Sequence, residues 1–303
     1  MILRLGTRGS ALARWQAGFV AGKLRSAGHT VEVVFIQTSG DARTDVPLAA
    51  VAGKGVFVRE IESELLAGSI DLAVHSAKDL PSVDVPGLML AAFCERADAR
   101  DALVSRYRSI NDLPRNATVA TSAPRRIAQL LHRRPDLRPI PIRGNVDTRL
   151  RKLDEGSADA LVLACAGLDR LGRESVISER ISEEILLPQV GQGCVAVQCR
   201  AGDTDLIEQV REICDHEPTR LAVTAERQFL ALLGGGCTAP VAGHAFFAGD
   251  RGVMAGLVAA PNGSRLVYAA GTVTLPDTTL PQRIYDRLLE QGARELMPPP
   301  DAP

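Results

Sequence analysis

Aromatic residues are scarce, at 4% of 303 positions with a single Trp, and the most basic part of the chain has none. Lysine is nearly absent as well, at four residues against 31 arginines. No long apolar run exists: the longest, Ala160 to Leu168, is far short of the ~20 residues a membrane helix needs, so no membrane span is expected. There is no Cys-x-x-C pair. The six cysteines (Cys94, Cys165, Cys194, Cys199, Cys214, Cys237) are scattered, which fits reduced thiols better than a disulfide framework. Cys194, Cys199, Cys214 and His216 match no common zinc spacing, so no metal site is expected. The N-terminal stretch enters a strand pattern at once, without the basic, apolar and small-residue order of an export signal. A cytoplasmic location is therefore the expectation. No self-similarity at a solenoid period is present.

With 46% hydrophobic and 23% charged residues, the chain can bury a large core and should divide into two or three domains. Its charges nearly cancel, Lys+Arg 35 against Asp+Glu 36, but they are unevenly placed. From Arg115 to Lys152 there are ten basic residues and only two acids, Asp136 and Asp147. That stretch should meet an anion. Nucleic acid is the usual partner of such a cluster, yet the window contains no ring on which a base could stack. Arginine grips carboxylate or phosphate in bidentate fashion, so several small carboxylates suit it equally well. Arg133, Arg134 and Arg151 read as a solvated helix face.

Short apolar runs alternate with helical spacing: Ile2 to Leu5, a helix from Ala11 to Leu24, Val31 to Ile36, a helix over Phe57 to Leu66, then Ile70 to Val74. The rhythm recurs at Thr118 to Thr121, Pro124 to Arg133, Arg138 to Ile142, Val146 to Glu155 and Ala160 to Cys165. Two mostly parallel α/β domains are expected. The remainder predicts a helix over Glu217 to Leu232, a meander of Val241 to Phe247, Val253 to Ala259 and Leu266 to Thr274, and a closing helix near Leu280 to Gly292. That is a small α+β domain, followed by a proline-rich tail from Met297 that is expected to be disordered.

Three places join a strand end to glycines and polar residues, where open parallel sheets put ligands. Gly6-Thr-Arg-Gly-Ser10 opens the first long helix, offering amides and Arg8 to an anion, although a plain N-cap also explains Ser10. Val74-His-Ser-Ala-Lys-Asp-Leu-Pro81 ends a buried strand with Lys78 and Asp79 adjacent, a location suited to a catalytic carboxylate. Thr121-Ser-Ala-Pro-Arg-Arg126 and Ile142-Arg-Gly-Asn-Val-Asp-Thr-Arg149 form the third, each following a strand and opening a helix. Two such elements in one domain favour a polycarboxylate site. Separately, Leu233-Gly-Gly-Gly-Cys-Thr-Ala-Pro240 strips side chains from around Cys237, exposing a thiol on a loop whose role composition leaves open.

These segments resemble the porphobilinogen deaminase (hydroxymethylbilane synthase) family. The match runs in order through Gly6-Thr-Arg-Gly-Ser-Ala-Leu-Ala, Thr38-Ser-Gly-Asp, Gly53-Lys-Gly-Val-Phe, His75-Ser-Ala-Lys-Asp-Leu-Pro, Thr121-Ser-Ala-Pro-Arg-Arg and Arg143-Gly-Asn-Val-Asp-Thr-Arg. It continues with Ala164-Cys-Ala-Gly-Leu-Asp-Arg-Leu, Pro188-Gln-Val-Gly-Gln-Gly and Gly235-Gly-Cys-Thr-Ala-Pro-Val.

The resemblance implies two α/β domains like those of periplasmic binding proteins plus a small C-terminal α+β domain. It implies boundaries of 1–94 with 190–212 for a discontinuous first domain, 95–189 for the second and 213–303 for the third. It also implies a dipyrromethane cofactor joined by a thioether to Cys237. Four porphobilinogen units are added to it head to tail with loss of ammonia, and water then releases hydroxymethylbilane. By the same match Asp79 is the catalytic carboxylate. Arg8, Ser10, Lys78, Thr121, Ser122, Arg125, Arg126, Arg143, Arg149 and Arg170 bind cofactor and substrate. Thr38 to Gly55 is a flexible active-site loop hinged at Gly53, Lys54 and Gly55. The enzyme is expected to act as a monomer, with no nucleic acid or membrane partner. Ala123 and Pro124 depart from the commonest pattern of serine and leucine, removing one side-chain contact to the cofactor. The rival is a two-domain anion- or solute-binding protein without catalysis, which would use the same strand-end amides and arginines.

Overall fold

The computed structural model describes residues 2–42, 58–234 and 240–297. The tail after Met297, most of the segment expected to form the active-site loop, and Cys237 lie outside the described residues.

The first sheet is built from β1 (Ile2–Arg8), β2 (Thr30–Ile36), β3 (Leu72–Ser76) and β4 (Leu88–Phe93), with helices α1 (Ala11–Ser26), α2 (Ser39–Ala42) and α3 (Arg59–Leu66) between them. The second contains β5 (Asp101–Ser105), β6 (Thr118–Ala120), β7 (Arg138–Ile140), β8 (Ala160–Ala164) and β9 (Glu179–Ile181), with α4 (Pro124–Arg133), α5 (Val146–Asp154) and α6 (Cys165–Arg170). The chain then crosses back as β10 (Val195–Arg200), which enters the first sheet between β3 and β4. The two orders, β2-β1-β3-β10-β4 and β7-β6-β8-β5-β9, match position for position. Four strands of each sheet share one direction, as expected, and the fourth in order runs against its neighbours. In both sheets that antiparallel strand is the one arriving from the other half of the chain.

The strands read as unbroken apolar runs because helices cover both faces. Leu72 to His75, for instance, is buried throughout. Helix α1 lays Ala13, Ala17, Val20, Ala21 and Leu24 on the first sheet, the 3.6-residue spacing visible in the sequence. The third unit follows α7 (Thr204–Cys214). Its meander, β11 (Val241–Ala248), β12 (Arg251–Ala259) and β13 (Leu266–Thr274), is antiparallel and packs on α8 (Glu217–Leu232) and α9 (Leu280–Glu290) through Phe229, Met254, Ile284 and Leu288. Arg134 departs from expectation. It caps α4, pairs with Asp136 at 2.8 Å and donates to the Ile110 and Leu113 carbonyls, so it ties a turn down instead of sitting in solvent.

One buried carboxylate joins the three units. Glu226 of α8 is fully buried and accepts from the amides of Gly191 and Ala245, both at 2.7 Å, and from the Arg96 guanidinium. Arg96 also donates its Nε to the Gln192 carbonyl at 2.8 Å. Both segments that cross between the sheets are thereby pinned to the third unit. Removing one partner of such a pair strands the other charge in the interior, which costs about 3–5 kcal/mol. Glu226→Ala is therefore expected to lower the urea unfolding midpoint markedly, while Glu295→Ala at the exposed Arg265–Glu295 pair leaves it unmoved.

Candidate active site

The C-terminal ends of β1, β3, β6 and β8 face one cavity of about 870 Å³ between the two sheets. Helix N-termini converge on it, so unpaired amides point inward. Ser10 caps α1 by accepting from the Ala13 amide at 3.4 Å, and Asn145 caps α5 by accepting from Thr148 at 2.9 Å. Helix α4 has no side-chain cap but begins with Pro124, whose missing N–H costs nothing in the first turn.

The wall is cationic. Arg8, Lys78, Arg126, Arg143, Arg149, Lys152 and Arg170 line it, opposed by Asp79 and Asp147. Like charges in a partly dehydrated space disfavour one another, and the acid–base properties follow. Burial, reinforced by Arg126, lowers Lys78 to about 8. Burial, with Arg126 and Arg143 adding to it, lowers Arg149 to about 10. Burial also lowers Arg170. Carbonyls hold these groups in place: Arg149 Nε donates to Gly144 O and Arg170 Nη2 to Gly193 O, each at 2.7 Å.

Behind the wall lies Asp101, fully buried between two guanidiniums. Arg125 reaches it through both terminal nitrogens (2.6 and 3.1 Å), and Arg126 through Nε and Nη2 (3.1 and 2.7 Å). Although burial alone would raise this carboxyl, the two arginines outweigh it and hold the group well below the usual carboxylate range. Gln192, also buried, completes the cluster. Its Nε2 donates to Asp101 at 2.9 Å, and its Oε1 accepts from Arg125 at 3.1 Å and from Lys78 Nζ at 3.3 Å.

Asp79 ends a single 3₁₀ turn, Ala77–Asp79, directly after β3. Hydrogen bonds from Ala77 N to Cys194 O (3.0 Å) and from Gln189 Nε2 to Lys78 O (3.1 Å) seat that turn on the crossing segment. Gly191 packs against it with φ +73°, and a Cβ there would lie 2.9 Å from the Ala77 carbonyl carbon and the Lys78 nitrogen. Any side chain at 191 would push the turn away. Among the described residues nothing hydrogen-bonds the Asp79 carboxylate, which lines the cavity.

Nine of the residues expected from sequence thus share one cavity: Arg8, Ser10, Lys78, Asp79, Ser122, Arg126, Arg143, Arg149 and Arg170. Thr121 and Arg125 do not line it. Thr121 is buried, its hydroxyl accepting from the Ala123 amide at 3.4 Å, and Arg125 faces Asp101. Ser122 uses its hydroxyl to staple the turn after β6 to the segment just past β7, donating to Ile142 O at 2.7 Å and accepting from Ile142 N at 2.9 Å. Gly53, Lys54, Gly55 and Cys237 lie outside the described residues. Cys194 and Cys199 are buried free thiols raised by burial. Sequence reasoning missed Asp101 and Gln192. Their only local signal is a charged or amide residue beside an apolar run, Asp101 before Ala102 to Val104 and Gln192 between two glycines.

Comparison with known proteins finds relatives over most of the chain. Residues 3–208 match the family model "Porphobilinogen deaminase, dipyromethane cofactor binding domain", and residues 220–289 match "Porphobilinogen deaminase, C-terminal domain". Porphobilinogen deaminase of Geobacter metallireducens is 46% identical over 300 residues, covering 97% of this chain and 93% of that protein. The Syntrophotalea carbinolica enzyme is 51% identical over 268 residues, covering 88% and 85%. That of a Roseiflexus species is 48% identical over 299 residues, covering 97% and 98%. Among solved structures, the periplasmic sulfonate-binding protein SsuA from Methylobacillus flagellatus aligns with a TM-score of 0.39 at 16% identity, over 77% of this chain and 69% of that one.

The depressed Lys78 makes the positive charge of the cavity pH-dependent. Below about 8 the ammonium is charged; above it the charge is lost while the arginines keep theirs. Calorimetric affinity for a small polycarboxylate such as citrate is expected to fall as pH rises from 7 to 9, and Lys78→Gln to flatten that fall. A wild-type affinity constant across the range would contradict it.

Proposed function

The chain belongs to the porphobilinogen deaminase family, a transferase of tetrapyrrole biosynthesis with a dipyrromethane cofactor, and we propose how its own residues carry that reaction. The observation that carries the proposal is Asp79, a carboxylate without a hydrogen-bond partner among the described residues, on a wall where seven cations face only one other acid, Asp147. Loss of ammonia from porphobilinogen leaves a cationic azafulvene. A carboxylate about 4 Å from such a charge contributes about 4 kcal/mol at an effective dielectric near 20. Asp79 also accepts pyrrole N–H bonds and moves protons during deamination and coupling.

Every pyrrole brings an acetate and a propionate, so the ligand gains negative charge as it grows. Arg8, Lys78, Arg126, Arg143, Arg149 and Arg170 take those carboxylates, with the amides of α1, α4 and α5 and the Ser10 cap as further donors. The donor set suits a polycarboxylate: Arg170 Nε is buried with no partner in the described structure, and the cavity holds an excess of cations. Arg125 acts behind the wall in this reading, holding Asp101 so that Arg126 and Gln192 keep their places. Thr121 and Ser122 shape the turn that opens α4, where backbone amides stand in for the contact that Ala123 and Pro124 cannot make. When bound, dipyrromethane supplies the pyrrole carbon to which the first substrate is joined. Cys237 holds it as a thioether.

The units 1–94 with 190–212, 95–189 and 213–303 are taken as the three domains of the enzyme. Monomeric action in a reducing cytoplasmic setting is part of the same reading, which rests on the family resemblance and on six cysteines scattered without a disulfide-like spacing.

Asp79→Asn is expected to lower turnover by about 10²- to 10⁴-fold with the fold and covalent cofactor retained. Near-normal turnover would remove Asp79 from the chemistry. Intact mass gives the second check: the wild-type protein should exceed the bare chain by two linked pyrrole units, and Cys237→Ser should not. The same excess in that variant would move the attachment elsewhere.

A further inference from the structure

Arg170 reaches the cleft from α6 beside the second sheet, but its supports come from elsewhere. Its Nη2 donates to the Gly193 carbonyl of the crossing segment at 2.7 Å. Its guanidinium carbon lies 5.2 Å from the centroid of the Trp15 ring on α1, which packs on the first sheet. A hydrogen bond to one nitrogen leaves a planar cation free to pivot about it. A ring face beneath it does not.

Trp15 is itself backed. Phe19 lies 5.5 Å from it, centroid to centroid, with the rings 8° from parallel, and Lys23 places Nζ 5.5 Å over the Phe19 ring. Residues 15, 19 and 23 are four apart and lie along one line of α1. A ladder of guanidinium, indole, phenyl and ammonium thus runs outward from the cleft. Core packing accounts for Phe19, which lies against the core of the first sheet, but not for Trp15, which is 39% exposed while the buried face of α1 is made of Ala13, Ala17, Val20, Ala21 and Leu24. A chain with one tryptophan has spent it on a half-open surface facing a cleft arginine.

We propose that Trp15 is a positioning residue for Arg170, its indole face fixing the plane of the guanidinium across the cleft so that the remaining N–H groups meet a ligand carboxylate in one orientation. The inference rests on the reading of Arg170 as a carboxylate grip. Trp15 touches no reacting atom; it acts on substrate affinity through Arg170. Losing a half-exposed ring contact should raise KM for porphobilinogen about two- to five-fold with kcat nearly unchanged.

The test is steady-state kinetics of the cofactor-bearing enzyme with Trp15→Leu, Trp15→Phe, Arg170→Gln and the Trp15→Leu/Arg170→Gln double variant. Trp15→Leu should show the KM effect, Trp15→Phe should recover most of it, and the leucine change should add nothing in the Arg170→Gln background. Wild-type KM in Trp15→Leu beside a raised KM in Arg170→Gln overturns the positioning role alone. Wild-type KM in Arg170→Gln overturns the reading of Arg170 on which it rests. Because Trp15 is the sole tryptophan, the contact is also visible without altering it: Arg170→Gln should shift its fluorescence emission. An unchanged spectrum overturns the proposal even if Trp15→Leu does not fold.

Discussion

Like charges held close together are the constraint from which the rest of this structure follows. Seven basic side chains face one cavity, and each must be kept from swinging into solvent to escape the others. Neutral carbonyls do most of the holding: Gly144 O for Arg149, Gly193 O for Arg170, Val162 O for Arg126 and Arg143 O for Lys152. A carbonyl fixes a cation without cancelling its charge. The positive field stays available to an anionic ligand and needs little rearrangement when one arrives. Asp101 is the exception, and it stands behind the wall shared between two arginines, so one positive charge survives there.

The crossing segments turn that field into a site. Gly191 abuts the turn bearing Lys78 and Asp79, Gln192 joins Lys78 to Asp101, and Gly193 receives Arg170. Three consecutive residues therefore touch groups from both sheets. The third unit reaches the same place through Glu226, which takes the Gly191 amide, while Arg227 holds the chain just after Asp79 by donating to Pro81 O and pairing with Asp84. Substitution is poorly tolerated on this segment, since Gly191 and Gly193 both have positive φ, and a Cβ at Gly193 would lie 2.6 Å from Ala97 O.

Much of this was legible beforehand. The strand and helix rhythm of both α/β units, the meander, and the segments carrying Arg8, Lys78, Asp79, Arg143 and Arg149 all followed from local pattern, and the family resemblance supplied the chemistry. Strands β4, β5, β9 and β10 were not read from local pattern, and the return of 190–212 to the first unit came from the resemblance alone, because periodicity names no partner more than a hundred residues away. Neither was the division of labour between Arg125 and Arg126, adjacent residues of the same type on one helix.

By itself the sequence determined which residues carry charge, where helices begin and which turns need glycine, since these depend on covalent neighbours and on the period of the backbone. Only the tertiary structure decided that Arg125 faces Asp101, that Lys78 gives up its proton near 8, and that Trp15 meets Arg170. Each of those outcomes depends on how much water is excluded and on which distant group fills the space. That is settled when the sheets close on one another and not before.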